Sequence, residues 1–510
     1  MKTRHNTVKV VLTTLLVFLL LTWILPAAYY SSGYVDQGRI QMGIFDIFSY
    51  PITAISYFGN IAVFVLVVGG FYGILNKIGA YRNLLNKMVT AFKGKEKIVV
   101  SVIMVLFAVI TSICGLQIGL IIFFPFVISL VLLMGYDKIV AALTVVGSTM
   151  VGIAGTTFAY SNTSVIISTL SIKITSNMIA KISILVLGLA LLIFNTIKYM
   201  IKIEKTAKST KKETKKTTEE KKETKKTTKS KTAASKKADD VKVVKSTSTK
   251  SKKENELSDY VPADLKSKQK VWPLVTILAL VFVIMILSFV SWTGAFKNSF
   301  FEDLTTNITG MKIFKFALFG KLLGNINPFG SWTLTELSAI LFIASLLLMV
   351  IYKIKFNDGL QAFITGAKRA LEPAVLVVLI YTGLVIVTYH PFQLVIYKFL
   401  FGFTKGFNVI TSMLAAILAS VFNADPLYAF QSVIPYLSSL VSSKSTYAVI
   451  GVVYQAMYGV TMLVAPTSVV LMAVLSYLGI SYKEWFKKIW KLLVELLVLL
   501  VIIFTILVLI

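Results

Sequence analysis

Apolar runs of membrane-helix character recur from one end of this chain to the other. They fall near residues 8–28, 52–76, 98–113, 116–135, 139–170, 182–201, 271–293, 333–352, 371–389, 407–422, 427–441, 446–475 and 488–510. A helix needs about 20 apolar residues to cross a hydrocarbon core of roughly 30 Å. Of the 510 residues, 56% are apolar, although 204–270 is almost wholly hydrophilic, with 22 Lys and 11 Asp or Glu. The rest is therefore far more apolar than a soluble core, which excludes a soluble enzyme, a disulfide scaffold and a disordered protein. What remains is an all-α polytopic membrane protein.

The net charge of +29 does not signal nucleic acid, because no soluble fold is present to carry a basic stripe. Cations in short loops instead orient the spans and face anionic lipid. Lys2, Arg4 and Lys9 precede the first run, and Lys77, Arg82, Lys87, Lys93, Lys95 and Lys97 crowd one loop. Residues 31–50 hold one Arg and two Asp. By the positive-inside rule the N-terminus is cytoplasmic, and Lys198, Lys202 and Lys205 place the hydrophilic stretch there too, after six crossings. Val8–Leu25 is too long for a signal peptide and reads as a retained span. The expected site is the plasma membrane. The lone Cys114 and the two histidines, His5 and His390, are too few for a disulfide or a Cys/His metal site.

Lys-Lys-Glu-Thr-Lys-Lys-Thr-Thr occurs at 211–218 and again at 221–228. Such runs cannot bury a core and stay disordered or fray. The chain therefore divides into a first membrane half (1–203), a disordered Lys-rich cytoplasmic linker (204–270) and a second membrane half (271–510).

The halves look alike. Phe123-Phe-Pro-Phe126 precedes a long segment that ends in Tyr160-Ser-Asn-Thr-Ser164 and is interrupted over Gly152–Ser164, where glycines loosen the helix. Val433-Ile-Pro-Tyr436 precedes one interrupted at Ala465-Pro-Thr-Ser468. Interrupted helices in matching places of two halves mark the substrate site of secondary transporters, and the repeats are expected to be inverted. Breaks survive in hydrocarbon only where they line a cavity. Ser161, Asn162 and Thr163, with Pro466, Thr467 and Ser468, are thus candidate substrate and ion ligands, and a Na⁺ could sit near the first three. The alternative is that Ser and Thr bond back into their own helices.

Ser112–Gln117 and Asn423-Ala-Asp-Pro426 read as re-entrant hairpins or tight turns. Asn423 and Asp425 join the candidates, although Asp425 could equally be a turn residue before proline. Gln455 and Tyr458, three apart, share a helix face and could reach the same cavity. Glu336 and Glu372 suit span starts, Glu495 pairs locally with Lys491, and His390-Pro391 reads as a helix stop. No Walker A, zinc-protease or GxSxG motif is present, so no enzyme or primary pump is expected. No cofactor is expected beyond a coupling Na⁺ or H⁺. The partners are a small-molecule substrate and membrane lipids, with a homodimer left open.

Leu21-Thr-Trp-Ile-Leu-Pro-Ala27, Val67-Val-Gly-Gly-Phe-Tyr-Gly-Ile-Leu75, Gly135-Tyr-Asp-Lys138, Ala465-Pro-Thr-Ser-Val-Val-Leu-Met-Ala473 and Leu478-Gly-Ile-Ser-Tyr-Lys-Glu-Trp485 resemble the YfcC-type carriers. These are grouped with the four-carbon dicarboxylate anaerobic carriers of the ion transporter superfamily. The resemblance implies inverted repeats, each with a re-entrant hairpin and a broken helix, and transport of a small carboxylate or amino acid. An arginine/ornithine-type exchanger is the alternative within transport, with Asp425 and Glu372 as its candidate carboxylates. A non-transporting scaffold that displays the basic linker is the alternative outside it. The chain departs from the family at Cys114-Gly-Leu-Gln117 and Gln455-Ala-Met-Tyr458, where relatives tend to carry acidic residues and Gly-Asp-Gly.

Overall fold

The computed structural model describes residues 6–226 (207–226 as backbone only), 260–263, 265, 267–312, 316–324, 326–404, 407–441 and 443–509. The first half holds α1 (Asn6–Ile24), a small antiparallel hairpin of β1 (Ala27–Tyr30) and β2 (Tyr34–Gly38), and α2 (Ile44–Leu75). It continues with α3 (Gly79–Ala91), α4 (Glu96–Cys114), α5 (Gly119–Leu133), α6 (Lys138–Ala154), α7 (Tyr160–Leu170) and α8 (Met178–Lys226). After α9 (Trp272–Phe289) and three short helices come α10 (Leu334–Ile351), α11 (Phe356–Arg369), α12 (Leu371–Tyr389), α13 (Gln393–Gly402) and α14 (Val409–Phe422). The chain closes with α15 (Pro426–Ser439), α16 (Ser445–Met462), α17 (Val469–Leu478) and α18 (Tyr482–Leu509). Among the described residues eight helices are long and apolar enough to cross a bilayer: α1, α2, α4, α8, α9, α10, α12 and α18.

Local chemistry sets the ends. Asp137 caps α6 through the Val140 N–H at 3.0 Å and accepts from the Tyr199 hydroxyl at 2.6 Å. Thr333 and Glu336 form a capping box that starts α10, which accounts for Glu336 at a span start. Within α6, Leu143–Gly147 widens into a π turn, a distortion frequent at functional sites.

The packing repeats between halves. Helix α4 lies against α6 and α8 as α14 lies against α16 and α18; α3 meets α5 as α13 meets α15; α1 packs on α12 as α10 packs on α2. The six apolar segments before the linker are two spans, a hairpin (α4–α5), a broken span (α6–α7) and α8. Both hairpin arms return to one side, so the count before the linker is even. Helix α9 adds one crossing with no counterpart in the first half, so the second half enters from the opposite side and the repeats are inverted.

Glycines let α2 and α11 pack closely. A Cβ on Gly73 would lie 2.1 Å from the Ala362 carbonyl, and one on Gly366 would lie 2.1 Å from the Gly69 carbonyl, so α2 and α11 cross at backbone contact. Helix α2 is also flanked by α10 and α12.

Order reaches into 204–270 from both edges. Helix α8 runs on to Lys226, and residues 260–263 and 267–270 pack against the membrane helices. Residues 227–259, on which much of the expected disorder falls, lie outside the described residues. Glu495 does not pair with Lys491; it accepts from the Asn195 amide of α8 at 2.6 Å, because α8 and α18 pack side by side. His390 does end α12, and its ring also bridges Tyr50 at 2.8 Å and the Ile40 carbonyl at 2.7 Å.

The inverted arrangement makes a direct prediction. Ser171, after α7, and Ser481, before α18, end the two broken spans on opposite faces. Cysteines placed there should react with an impermeant maleimide from opposite sides of the membrane. Labelling from the same side would mean parallel repeats.

Candidate functional site

The tip of the first hairpin is stitched into the first helix break. The Ser112 carbonyl accepts from the Thr157 N–H at 2.9 Å. The Ser112 hydroxyl donates to the Gly155 carbonyl at 2.7 Å and lies 3.0 Å from Thr157 Oγ1. Thr157 Oγ1 also points at the Ser112 carbonyl, 3.3 Å away. Beyond Ser112 the chain turns at Gly115, which has φ +71°. A Cβ there would sit 2.8 Å from Ser161 Oγ and 3.0 Å from Asn162 Nδ2. A left-handed residue without a side chain is thus what lets α7 approach, and Asn162 Nδ2 donates to the Gly115 carbonyl at 3.2 Å.

The second half repeats the stitch. Thr467 Oγ1 donates to the Val421 carbonyl at 2.9 Å and lies 3.5 Å from the Ser420 carbonyl. Ser112 and Ser420 stand two residues before the ends of α4 and α14. Thr157 and Thr467 are therefore matched, each a buried hydroxyl in a break, aimed at carbonyls of the neighbouring hairpin tip. Pro466, which has no N–H to leave unpaired, precedes Thr467 in the turn. Ser468 caps α17 by accepting from the Leu471 N–H at 3.4 Å.

Helix α16 joins the two sites. It crosses α6 at backbone contact, since a Cβ on Gly459 would lie 2.3 Å from the Ala154 nitrogen. One turn earlier, Gln455 Nε2 donates to the Thr156 carbonyl at 2.8 Å, in the first break. Tyr458 donates to the Ala424 carbonyl at 2.8 Å, at the tip of the second hairpin, and Gln117 of the first tip stands beside the same phenol. Both residues on the shared face are buried; one reaches the first break and the other the tip of the second hairpin.

The remaining expected residues divide. Asn423 is buried and donates through Nδ2 to Gln393 Oε1 and to the Ala419 carbonyl, both at 2.8 Å. Asp425 caps α15, accepting from the Leu427 N–H at 2.8 Å. Ser161 and Thr163 lie in the first turn of α7, past the break, and Thr163 donates back to the Ala159 carbonyl at 3.0 Å. Asn162 alone of that trio bridges to the hairpin tip. A cavity of about 330 Å³ bordered by Tyr30, Gln393, Asn423, Gln431, Ser432 and Tyr436 lies between β1, α13 and α15. Sequence reading held Thr157 and the carbonyls of 155 and 156 only as part of the interrupted stretch, and missed Gln393 and the carbonyls of 112, 420 and 421. A Ser two positions before each hairpin tip was the available signal.

Two hairpins locked to two helix breaks form an assembly in which freed carbonyls and hydroxyls face one another inside the membrane. Such groups can coordinate a cation or receive an anion at half-helix N-termini. The model of the C4-dicarboxylate anaerobic carrier family (DcuC) matches residues 5–238 and 234–510. The chain belongs to that family. It is a multi-pass membrane transporter and not an enzyme. An uncharacterized protein of Haemophilus influenzae is 32% identical over 81 residues, and that stretch spans 16% of this chain and 16% of the relative. The crystal structure of the Alcanivorax borkumensis YdaH transporter covers 97% of each chain at 14% identity, with a TM-score of 0.39.

Proposed function

We propose that this protein is a secondary active transporter that carries a small carboxylate across the plasma membrane by alternating access, with the linker face cytoplasmic. The observation that carries the reading is the pair of matched stitches, Ser112–Thr157 and Ser420–Thr467, joined through Gln455 and Tyr458 of α16. The donors around them are neutral amides, hydroxyls and backbone N–H groups, which suit a carboxylate. The carbonyls of Gly155, Thr156, Ser420 and Val421 are the oxygen ligands a coupling Na⁺ would take. A proton is the alternative coupling ion, with Asp425 to hold it. An arginine/ornithine-type exchanger is less well supported. Its cationic side chain needs a carboxylate, yet Asp425 is engaged as a helix cap and Glu372 stands in the first turn of α12.

The Lys-rich loops around 77–97, 198–205 and 483–491 gather on the linker face, as the Lys97–Glu204 ion pair at 2.8 Å illustrates. That is the bias expected of a cytoplasmic side. A thermal-shift screen of four-carbon dicarboxylates and amino acids, with and without Na⁺, tests the substrate class. A ligand at 100 times its Kd stabilises the folded state by about 2.7 kcal/mol, so a dicarboxylate should raise Tm measurably. A rise with arginine or ornithine alone would replace this reading by the exchanger.

A further inference from the structure

Residues 260–262 stand near the end of the hydrophilic stretch, yet they are buried between α5 and α17 on one side and α2 and α3 on the other. The Tyr260 carbonyl accepts from the Ser129 hydroxyl of α5 at 2.6 Å, and its phenol donates to the Leu478 carbonyl that ends α17 at 3.1 Å. Its ring packs edge-on against Tyr477, 5.6 Å between centroids, with the Lys138 ammonium 4.7 Å from the ring centre. One residue pair further on, the contacts change partner. The Pro262 carbonyl accepts from Arg82 at 3.1 Å, and the Ser267 carbonyl accepts from Asn83 at 2.8 Å, both on α3. The Lys270 carbonyl takes the Tyr352 hydroxyl at 2.8 Å, at the end of α10. Tyr260 and Val261, both buried, wall a cleft whose other sides are α2, α5, α17 and the start of α12.

We infer that Tyr260–Pro262 is a built-in latch, the linker's own end acting as an intramolecular ligand of the cleft between the moving and static helices. This rests on the transporter reading above. Helices α5 and α17 carry the hairpin and the half-helix of opposite repeats, so they must shift against α2 and α12 for access to alternate. With Tyr260 seated, both are fastened to α3 and α10. The other end of the pathway differs: α15 faces the cavity beside Asn423. The latch closes the linker face and holds the protein in the state described, and Tyr260 must leave α5 and α17 in each cycle while Arg82 and Asn83 keep the strap in place.

Labelling tests the latch by itself. In protein carrying Val474→Cys, a residue that lines the cleft, an impermeant maleimide added from the linker side reports opening. Tyr260→Ala should speed that labelling roughly tenfold, the scale of losing a buried hydrogen bond and its ring packing from one of two states. Tyr260→Phe should give a smaller rise, because it loses the phenol bond to Leu478 but keeps the ring packed on Tyr477. Equal rates in parent and Tyr260→Ala would overturn the latch. A second measurement asks whether release is needed for transport. Val261→Cys and Ile128→Cys, both on the cleft wall, would be bridged by a short bis-methanethiosulfonate. Exchange of a labelled dicarboxylate should then collapse and return on reduction. Unchanged exchange in the bridged protein would also overturn the proposal. If the unbridged protein exchanges no carboxylate, the substrate reading fails, while the labelling result still decides the latch.

Discussion

Thr157→Val and Thr467→Val should each weaken the apparent affinity for substrate or coupling ion by about ten- to a hundredfold. Valine keeps the shape of threonine and removes only the hydroxyl. In each half that hydroxyl meets carbonyl oxygens of the adjacent hairpin tip: Ser112 at 3.3 Å in one, Val421 at 2.9 Å in the other. Removing a buried polar partner costs about 1–3 kcal/mol, and each 1.4 kcal/mol is about a factor of ten in affinity. Thr467→Val takes the hydroxyl donor from the Val421 carbonyl. Thr157→Val removes the hydroxyl beside Ser112 Oγ, while the Ser112 carbonyl keeps the Thr157 N–H. The two losses should be similar because the positions are matched by fold. Asn162→Ala, which frees the Gly115 carbonyl, belongs to the same class with a smaller effect, since that residue is only partly buried. Thr14→Ala is the control. Its hydroxyl bonds back to Val10 within α1 and should be nearly silent. Kinetics in vesicles, normalised to folded protein, give the comparison. Two silent threonine variants would place the site elsewhere.

Gly459→Val should abolish transport and yield no monodisperse protein. A Cβ at 459 would lie 2.3 Å from the Ala154 nitrogen and 2.6 Å from the Met150 carbonyl, and both are backbone atoms that no rotamer change can move. Overpacking a core costs about 1–3 kcal/mol even where side chains yield, so separating two whole helices costs more. The displacement would also pull Gln455 from the Thr156 carbonyl and Tyr458 from the Ala424 carbonyl. Gly459→Ala introduces the same Cβ and should also lower the yield of folded protein and its transport, though less than the larger side chain of valine. Gly310→Ala, which meets nothing within 4 Å, should match the parent on size-exclusion chromatography and in uptake. A well-folded, active Gly459→Val would mean that α6 and α16 do not meet as described.

Much of this architecture is legible in the chain because membranes impose simple rules. Apolar length marks the spans, and a Pro-bearing hairpin arm followed by an interrupted span marks each repeat. The register between repeats was harder. The sequence marks the first interruption over Gly152–Ser164, and the break falls inside it, at Gly155–Ala159, ahead of the candidate ligands Ser161, Asn162 and Thr163. That break is marked mainly by Gly155 and by backbone atoms, which have no sequence signature. Ser112 and Ser420 appear as ordinary helix serines until the fold brings each against a threonine. The linker's end was hidden by its surroundings. Tyr260-Val261-Pro262 is a short apolar island after a charged run, too brief for a periodicity and recognisable only once the cleft that receives it is formed.

The measurement that tests the central claim most directly is counterflow. Purified protein would be reconstituted, the vesicles loaded with an unlabelled four-carbon dicarboxylate such as succinate, and trace labelled succinate added outside without any imposed gradient. The account predicts transient accumulation of label above the equilibrium level, lost in Thr157→Val and Thr467→Val at low substrate. Folded parent protein that exchanges neither dicarboxylates nor other small carboxylates would contradict it.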